Sequence, residues 1–77
     1  MRIEIFGPGC AKCEKTARAV ERVVRELGVD ATVEHVTEMS EIVDRGVMVT
    51  PAVFIDGKKK IEGKVPRASD VESWLST

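Results

Sequence analysis

Cys10 and Cys13 are the only cysteines in the chain, separated by Ala11 and Lys12. They sit where an apolar run ends and a helical pattern begins. Two thiols at this spacing can interconvert between a dithiol and a disulfide. The start of a helix favours the thiolate, because unpaired backbone N–H groups and the positive end of the helix dipole point at the first cysteine. As a staple the pair would be weak: a loop this short gives about 2 kcal/mol in the chain-entropy treatment, against ~3 for a 15-residue loop. Residues three apart inside a regular helix hold their Cβ atoms ~5–6 Å apart, whereas a disulfide needs roughly 3.8 Å. Only the less constrained first turn closes that gap comfortably. The spacing therefore suits chemistry better than reinforcement.

The elements that must position the pair read as follows. Arg2 to Phe6 alternates around Ile3 and Ile5 and stops at Gly7-Pro8-Gly9, as a strand does. Cys13, Ala17, Val20, Val24 and Leu27 recur at intervals of 4, 3, 4 and 3, which predicts a helix ending at Gly28. Glu14 with Arg18 and Glu21 with Arg25 are expected to pair on its outer face. Ala31 to Val36 predicts a second strand, parallel to the first through a right-handed crossover. Thr37 is expected to cap a short helix with Met39, Ile42 and Val43 inward, ending near Gly46. Pro51 to Ile55 predicts a third strand, Asp56-Gly57 a hairpin turn, and Lys59 to Glu62 a fourth strand. Ser69-Asp70-Val71-Glu72 reads as a capping box opening a last helix, with Val71, Trp74 and Leu75 inward. The order is β-α-β-α-β-β-α.

At 77 residues the chain makes one small domain, 1–77, of a size that buries only ~60% of its unfolded surface. With 43% hydrophobic and 32% charged residues it has the composition of a globular protein rather than a disordered one. The net charge of −1 provides no field to recruit nucleic acid or an anionic membrane. The apolar stretches are too short to span a bilayer, and the opening Met1-Arg2-Ile3-Glu4-Ile5-Phe6 does not read as a signal peptide. The expectation is a cytoplasmic protein. The chain has neither Asn nor Gln and is rich in Glu, Lys and Arg, a usage that resembles thermophile proteins.

The element order, Cys-x-x-Cys after the first strand and Thr50-Pro51 at the start of the third together resemble the thioredoxin/glutaredoxin superfamily. Within it the chain is most similar to the small thioredoxin-like redox-active disulfide proteins of archaea and bacteria. The stretch Thr50-Pro51-Ala52-Val53-Phe54-Ile55-Asp56-Gly57-Lys58 resembles the family's strand that begins with a cis-proline. The resemblance covers essentially the whole chain. It implies an α/β fold of three layers around a four-stranded mixed sheet. It implies a thiol–disulfide oxidoreductase with no cofactor beyond its own redox-active disulfide, with Cys10 as exposed nucleophile and Cys13 as resolving thiol. The position of Cys13 on the apolar stripe, with Cys10 ahead of it at the helix end, supports the same division. Implied partners are protein disulfides and an electron-donating reductase or glutathione, met by a monomer.

The same resemblance makes Pro51 cis and has Thr50 pair its backbone with an extended target peptide. Gly9 is expected to border the bound target. Gly7-Pro8-Gly9 stands where thioredoxins commonly carry an aromatic residue, which opens the backbone to a partner and removes an apolar contact. Lys12 is a candidate modulator that would favour the thiolate. Glu4 lies six residues before Cys10, the spacing at which thioredoxins carry a buried carboxylate that manages the resolving thiol's proton. Its alternation with Ile3 and Ile5 gives the simpler expectation that it faces solvent. His35 reads as structural, Trp74 as a packing anchor, and Lys58-Lys59-Lys60 as a charged hairpin tip that discourages edge pairing.

The rival reading is a soft-metal carrier. Copper chaperones and heavy-metal-associated domains also place Cys-x-x-Cys between a first strand and first helix, where two thiolates can hold Cu(I). Those domains run strand-helix-strand-strand-helix-strand, usually with a methionine shortly before the first cysteine. Here Gly-Pro-Gly precedes the pair and the second strand is followed by a helical segment, so the redox reading is preferred. A structural zinc site needs four ligands, which two cysteines and one distant histidine do not supply within one chain.

Overall fold

Charged Arg2 and Glu4 alternate with β-branched Ile3 and Ile5, and in the computed structural model, which describes residues 1–9 and 11–76, this stretch forms β1 (Arg2–Phe6). There follow α1 (Ala11–Leu27), β2 (Thr32–Val36), α2 (Met39–Asp44), β3 (Ala52–Ile55), β4 (Lys58–Glu62) and α3 (Ala68–Leu75). The sheet order is β2-β1-β3-β4, with β1 parallel to β2 and antiparallel to β3, and β3 antiparallel to β4. The expected mixed four-stranded sheet and element order are both present. Asp56 and Gly57 have φ of 52° and 83°, the positive pair that a type I′ hairpin turn requires.

The pleat divides the core in two. Ile3, Ile5, Val53 and Ile55 point to one face, under Ala17, Val20 and Val23 of α1 and Val71 and Leu75 of α3. Phe6, Ala52 and Phe54 point to the other, against Ile42 of α2 and Val47 of the loop behind it. The result is three layers. No helix of the described residues is long and apolar enough to cross a membrane.

Several details differ from the pattern read in the sequence. The buried line of α1 is Cys13, Thr16, Ala17, Val20 and Val23, while Val24 is half-buried and Leu27 is 45% exposed. A helix of 17 residues is about 25 Å long, whereas a strand of five covers roughly 17 Å. The last turn, with Leu27, therefore overhangs the sheet. Thr16 is tolerated in the core because its hydroxyl donates to the Lys12 carbonyl at 2.9 Å. Among the described residues the ion pair along α1 is Arg22–Glu26, at 2.8 Å, and not the two pairs expected. Glu21 instead meets Nε2 of His35 across to β2, at 3.1 Å.

α2 is capped by Glu38 rather than Thr37, without a side-chain cap. A helix of six residues brings only one side chain onto the sheet, so Ile42 is buried while Met39 and Val43 are exposed. α3 begins two residues earlier than expected, at Ala68. Its N-cap is Arg67, whose N–H donates to the Asp70 carboxylate at 3.1 Å, so Asp70 and not Glu72 closes the reciprocal half of the box.

Glu4 corrects the sequence reading most. The pleat does turn it away from Ile3 and Ile5, but that side is covered by the α2 layer rather than open to water, and Glu4 is only 4% exposed. Arg45, the residue that ends α2, donates through both terminal nitrogens to the two carboxylate oxygens at 2.9 and 3.0 Å. The guanidinium also lies over the Phe6 and Phe54 rings, 5.1 and 5.3 Å from their centroids. These hydrogen bonds, against the opposing effect of burial, hold the Glu4 carboxyl below its ordinary 4.5. The stabilisation is complete above that value and is lost as the pH falls and the folded-state group takes its proton. Glu4→Gln should therefore lower stability at neutral pH by about 1–3 kcal/mol and lose less than the wild type as the pH drops from 4.5 downward. Urea denaturation across that range checks both, and parallel curves for the two proteins would contradict the assignment.

Candidate functional site

α1 returns over the end of β1, and this brings Cys13, in its first turn, down onto the backbone of Gly7. Cys13 is 6% exposed. A Cβ added to Gly7 would overlap Cys13 Sγ and lie 3.0 Å from Cys13 Cβ and 3.8 Å from Thr50 Cβ. The glycine is needed here for close approach, and not for an unusual φ. Its N–H continues the β1–β2 pairing by donating to the Val36 carbonyl at 2.9 Å. Gly7 is thus the wall between Cys13 and Thr50. Sequence reasoning took Gly7-Pro8-Gly9 as an opening for a partner. Its first residue is instead buried under the thiol.

Gly9 is exposed with φ of 96° and borders a groove of about 240 Å³ beside Cys13. Ile5, Gly7 and Ala17 line its floor, and the Glu21–His35 pair lies on its rim. Lys12 is exposed. Cys10 lies outside the described residues.

The Thr50–Pro51 peptide bond is cis, and Pro51 is fully buried. The loop before it is held from β4. Glu62 Oε2 accepts from the N–H of Met48 at 2.6 Å and of Val49 at 3.2 Å. Lys59 Nζ donates to Glu62 Oε1 at 2.9 Å and to the Gly46 carbonyl at 3.5 Å. The Gly63 N–H donates to the Pro51 carbonyl at 2.7 Å. With the Met48 N–H first among the causes, then Lys59 and the Val49 N–H, the Glu62 carboxyl is lowered to about 2.

A break in the β3–β4 ladder makes this clamp. Val53 pairs with Ile61 but Phe54 with Lys59, so Lys60 is the extra residue of a bulge. In an unbroken strand Lys59 and Glu62 would point to opposite faces. The bulge puts both on the face of their partners Phe54 and Ala52, beside the α2 layer. Lys59, read as part of a charged hairpin tip, is a strut. The bulge has no sequence signal in Lys58-Lys59-Lys60, and the Glu62 clamp was missed with it.

Glu4 is not on the side of the sheet that carries Cys13. It stands on the face of the sheet opposite α1, engaged by Arg45. No cluster of three or more His, Cys, Asp or Glu side chains suited to a metal ion occurs among the described residues.

Comparison with known proteins gives a consistent result. A family profile described as a thioredoxin domain matches residues 1–76. The chain is 37% identical over 76 residues to a protein named thioredoxin from Methanothermobacter thermautotrophicus, covering 99% of each. It is 41% identical over 75 residues to a thioredoxin from Methanocaldococcus jannaschii, covering 97% of this chain and 86% of that one. A match that runs from end to end, over a fold with a cis-Thr50–Pro51 bond just ahead of β3, leads to one conclusion: this chain belongs to the thioredoxin domain family and is a thioredoxin-like thiol–disulfide oxidoreductase.

Proposed function

We propose that the protein exchanges dithiol for disulfide with protein substrates through Cys10 and Cys13, and that the thiols have different tasks. The observation that carries this reading is the burial of Cys13 against Gly7, with Thr50 of the cis-Thr50–Pro51 turn on the other side of that glycine. A thiol so enclosed is poorly placed to meet a folded partner first and well placed to act second. The Cys10 thiolate attacks one sulfur of the target disulfide, forming a mixed disulfide and releasing the other target sulfur as a thiolate. Cys13 then loses its proton and attacks the Cys10 sulfur, which expels the second target thiolate. The target gains two electrons and, after protonation, two thiols; the chain is left with a Cys10–Cys13 disulfide. The groove beside Cys13 gives water access for the departing proton.

An electron-donating reductase or glutathione then returns the dithiol. The reaction needs no cofactor beyond the cysteines. We assign Glu4 to stability rather than to proton transfer, because Arg45 takes up both of its oxygens on the face of the sheet away from α1. A reducing compartment, the cytoplasm, fits a chain whose only two cysteines form this pair. The monomer is the working form in this reading.

Cys13→Ser should accumulate mixed disulfides with protein substrates through Cys10, seen by non-reducing electrophoresis and mass spectrometry. Trapping through Cys13 in a Cys10→Ser protein would reverse the division of labour. In Cys13→Ser the sole remaining thiol is Cys10, and its ultraviolet thiolate absorbance should titrate below the free-cysteine value of ~8.5. An ordinary titration would remove the helix-terminus argument. Gly7→Ala should displace the Cys13 sulfur and slow resolution of the mixed disulfide by roughly tenfold or more. Unchanged single-turnover kinetics would show that the close approach does not matter to the chemistry.

A further inference from the structure

Between α2 and β3 the backbone donors are taken up one after another. The N–H groups of Gly46 and Val47 close the end of α2, on the carbonyls of Val43 and Ile42 at 2.9 and 3.1 Å. Those of Met48 and Val49 both go to one oxygen of Glu62. Pro51 has no N–H, and its carbonyl is occupied by Gly63. Among the described residues, no hydrogen bond reaches the N–H or carbonyl of Thr50. Between the buried Val47 and Pro51 the loop is held by little packing, since Met48 is 91% and Val49 56% exposed. Yet β4 and the residue after it hold its backbone at three points: Gly46 through Lys59, Met48 and Val49 through Glu62, and Pro51 through Gly63.

We propose that Glu62 is a positioning residue for the substrate. By occupying the donors of Met48 and Val49 it leaves Thr50 alone to pair with an extended target peptide, and so sets the register in which the target disulfide meets the dithiol. This rests on the disulfide-exchange reading above. A target that slipped by one residue would present its other face to the site, and with the Glu62 carboxylate removed Met48 and Val49 would offer donors for such slipped pairings. Lys59 supports Glu62 from the same side of the bulged strand, and Gly63 admits Val49: a Cβ at residue 63 would lie 2.9 Å from Val49 Cγ1.

The test compares the full-length wild type, Glu62→Ala and the isosteric Glu62→Gln on two disulfides. Insulin offers a peptide backbone to Thr50; the small aromatic disulfide DTNB does not. For Glu62→Ala the KM for insulin should rise about tenfold, with kcat and the DTNB rate changed no more than about twofold. Glu62→Gln, which keeps an acceptor but no charge, should fall between. Hydrogen exchange at the Met48 and Val49 amides should quicken by about tenfold in Glu62→Ala while the β1 and β3 amides keep their protection. Unchanged insulin kinetics would overturn the proposal, as would equal losses on both disulfides, which would place the effect at the thiols and not at the register. Inactivity of the wild type on both disulfides would instead sink the dithiol reading, and this one with it.

Discussion

Cys13 can settle on the end of β1 only because residue 7 has no side chain, and the rest of the site is arranged around that approach. The chain leaves β1 at Phe6, turns through Gly7-Pro8-Gly9 and comes back as α1. The height at which α1 crosses the sheet is set by sulfur against backbone. From that point the buried line continues through Ala17, Val20 and Val23 onto Ile3 and Ile5. Thr50 stands on the other side of the same glycine. One missing methyl group therefore serves the packing of a helix and the meeting of two halves of a site. A β-carbon there would force the helix outward or the thiol aside, and interiors packed at crystal-like density absorb such shifts poorly.

The two faces of the sheet are built differently. Under α1 and α3 the core is almost wholly apolar. Under the shorter α2 it combines the Phe6–Phe54 pair, with centroids 4.8 Å apart, with a buried carboxylate and a guanidinium that serves both. Burying Glu4 is costly unless its oxygens are satisfied, and Arg45 satisfies both while its own side chain, 39% exposed, still reaches water. Glu62 is the second well-bonded carboxylate. Glu4 ties α2 to β1, and Glu62 ties β4 to the loop before the cis-proline. Both are held below their ordinary value by hydrogen bonds to the charged form. At neutral pH each is an anion whose hydrogen bonds tie two elements together.

Most of the fold was legible because its signals are local. The alternation at Ile3 and Ile5, the Asp56-Gly57 turn and the apolar spacing of α1 each depend on a few neighbouring residues, and each led to the correct element. The pairing of Cys-x-x-Cys with Thr50-Pro51 pointed to the family for the same reason. What sequence did not disclose is set by tertiary geometry. Glu4 reads as a solvated strand residue until α2 covers that side and Arg45 arrives from 41 positions away. Leu27 fits the helical stripe but overhangs a sheet shorter than its helix. Lys59 and Glu62 read as facing opposite ways until a bulge at Lys60 brings them together. Gly7 reads as a turn glycine, and only the position of the Cys13 sulfur shows what its missing side chain makes room for.

The central claim is that a buried Cys13 and its neighbour Cys10 form one two-electron couple within a single chain. Intact-mass measurement and thiol counting on the reduced protein, before and after mild oxidation, test it directly. The account predicts the loss of two thiols and two hydrogens per chain, with peptide mapping placing the bond between Cys10 and Cys13 and the protein still monomeric. Disulfide-linked dimers, or a Cys13 thiol that survives oxidation of Cys10, would contradict it.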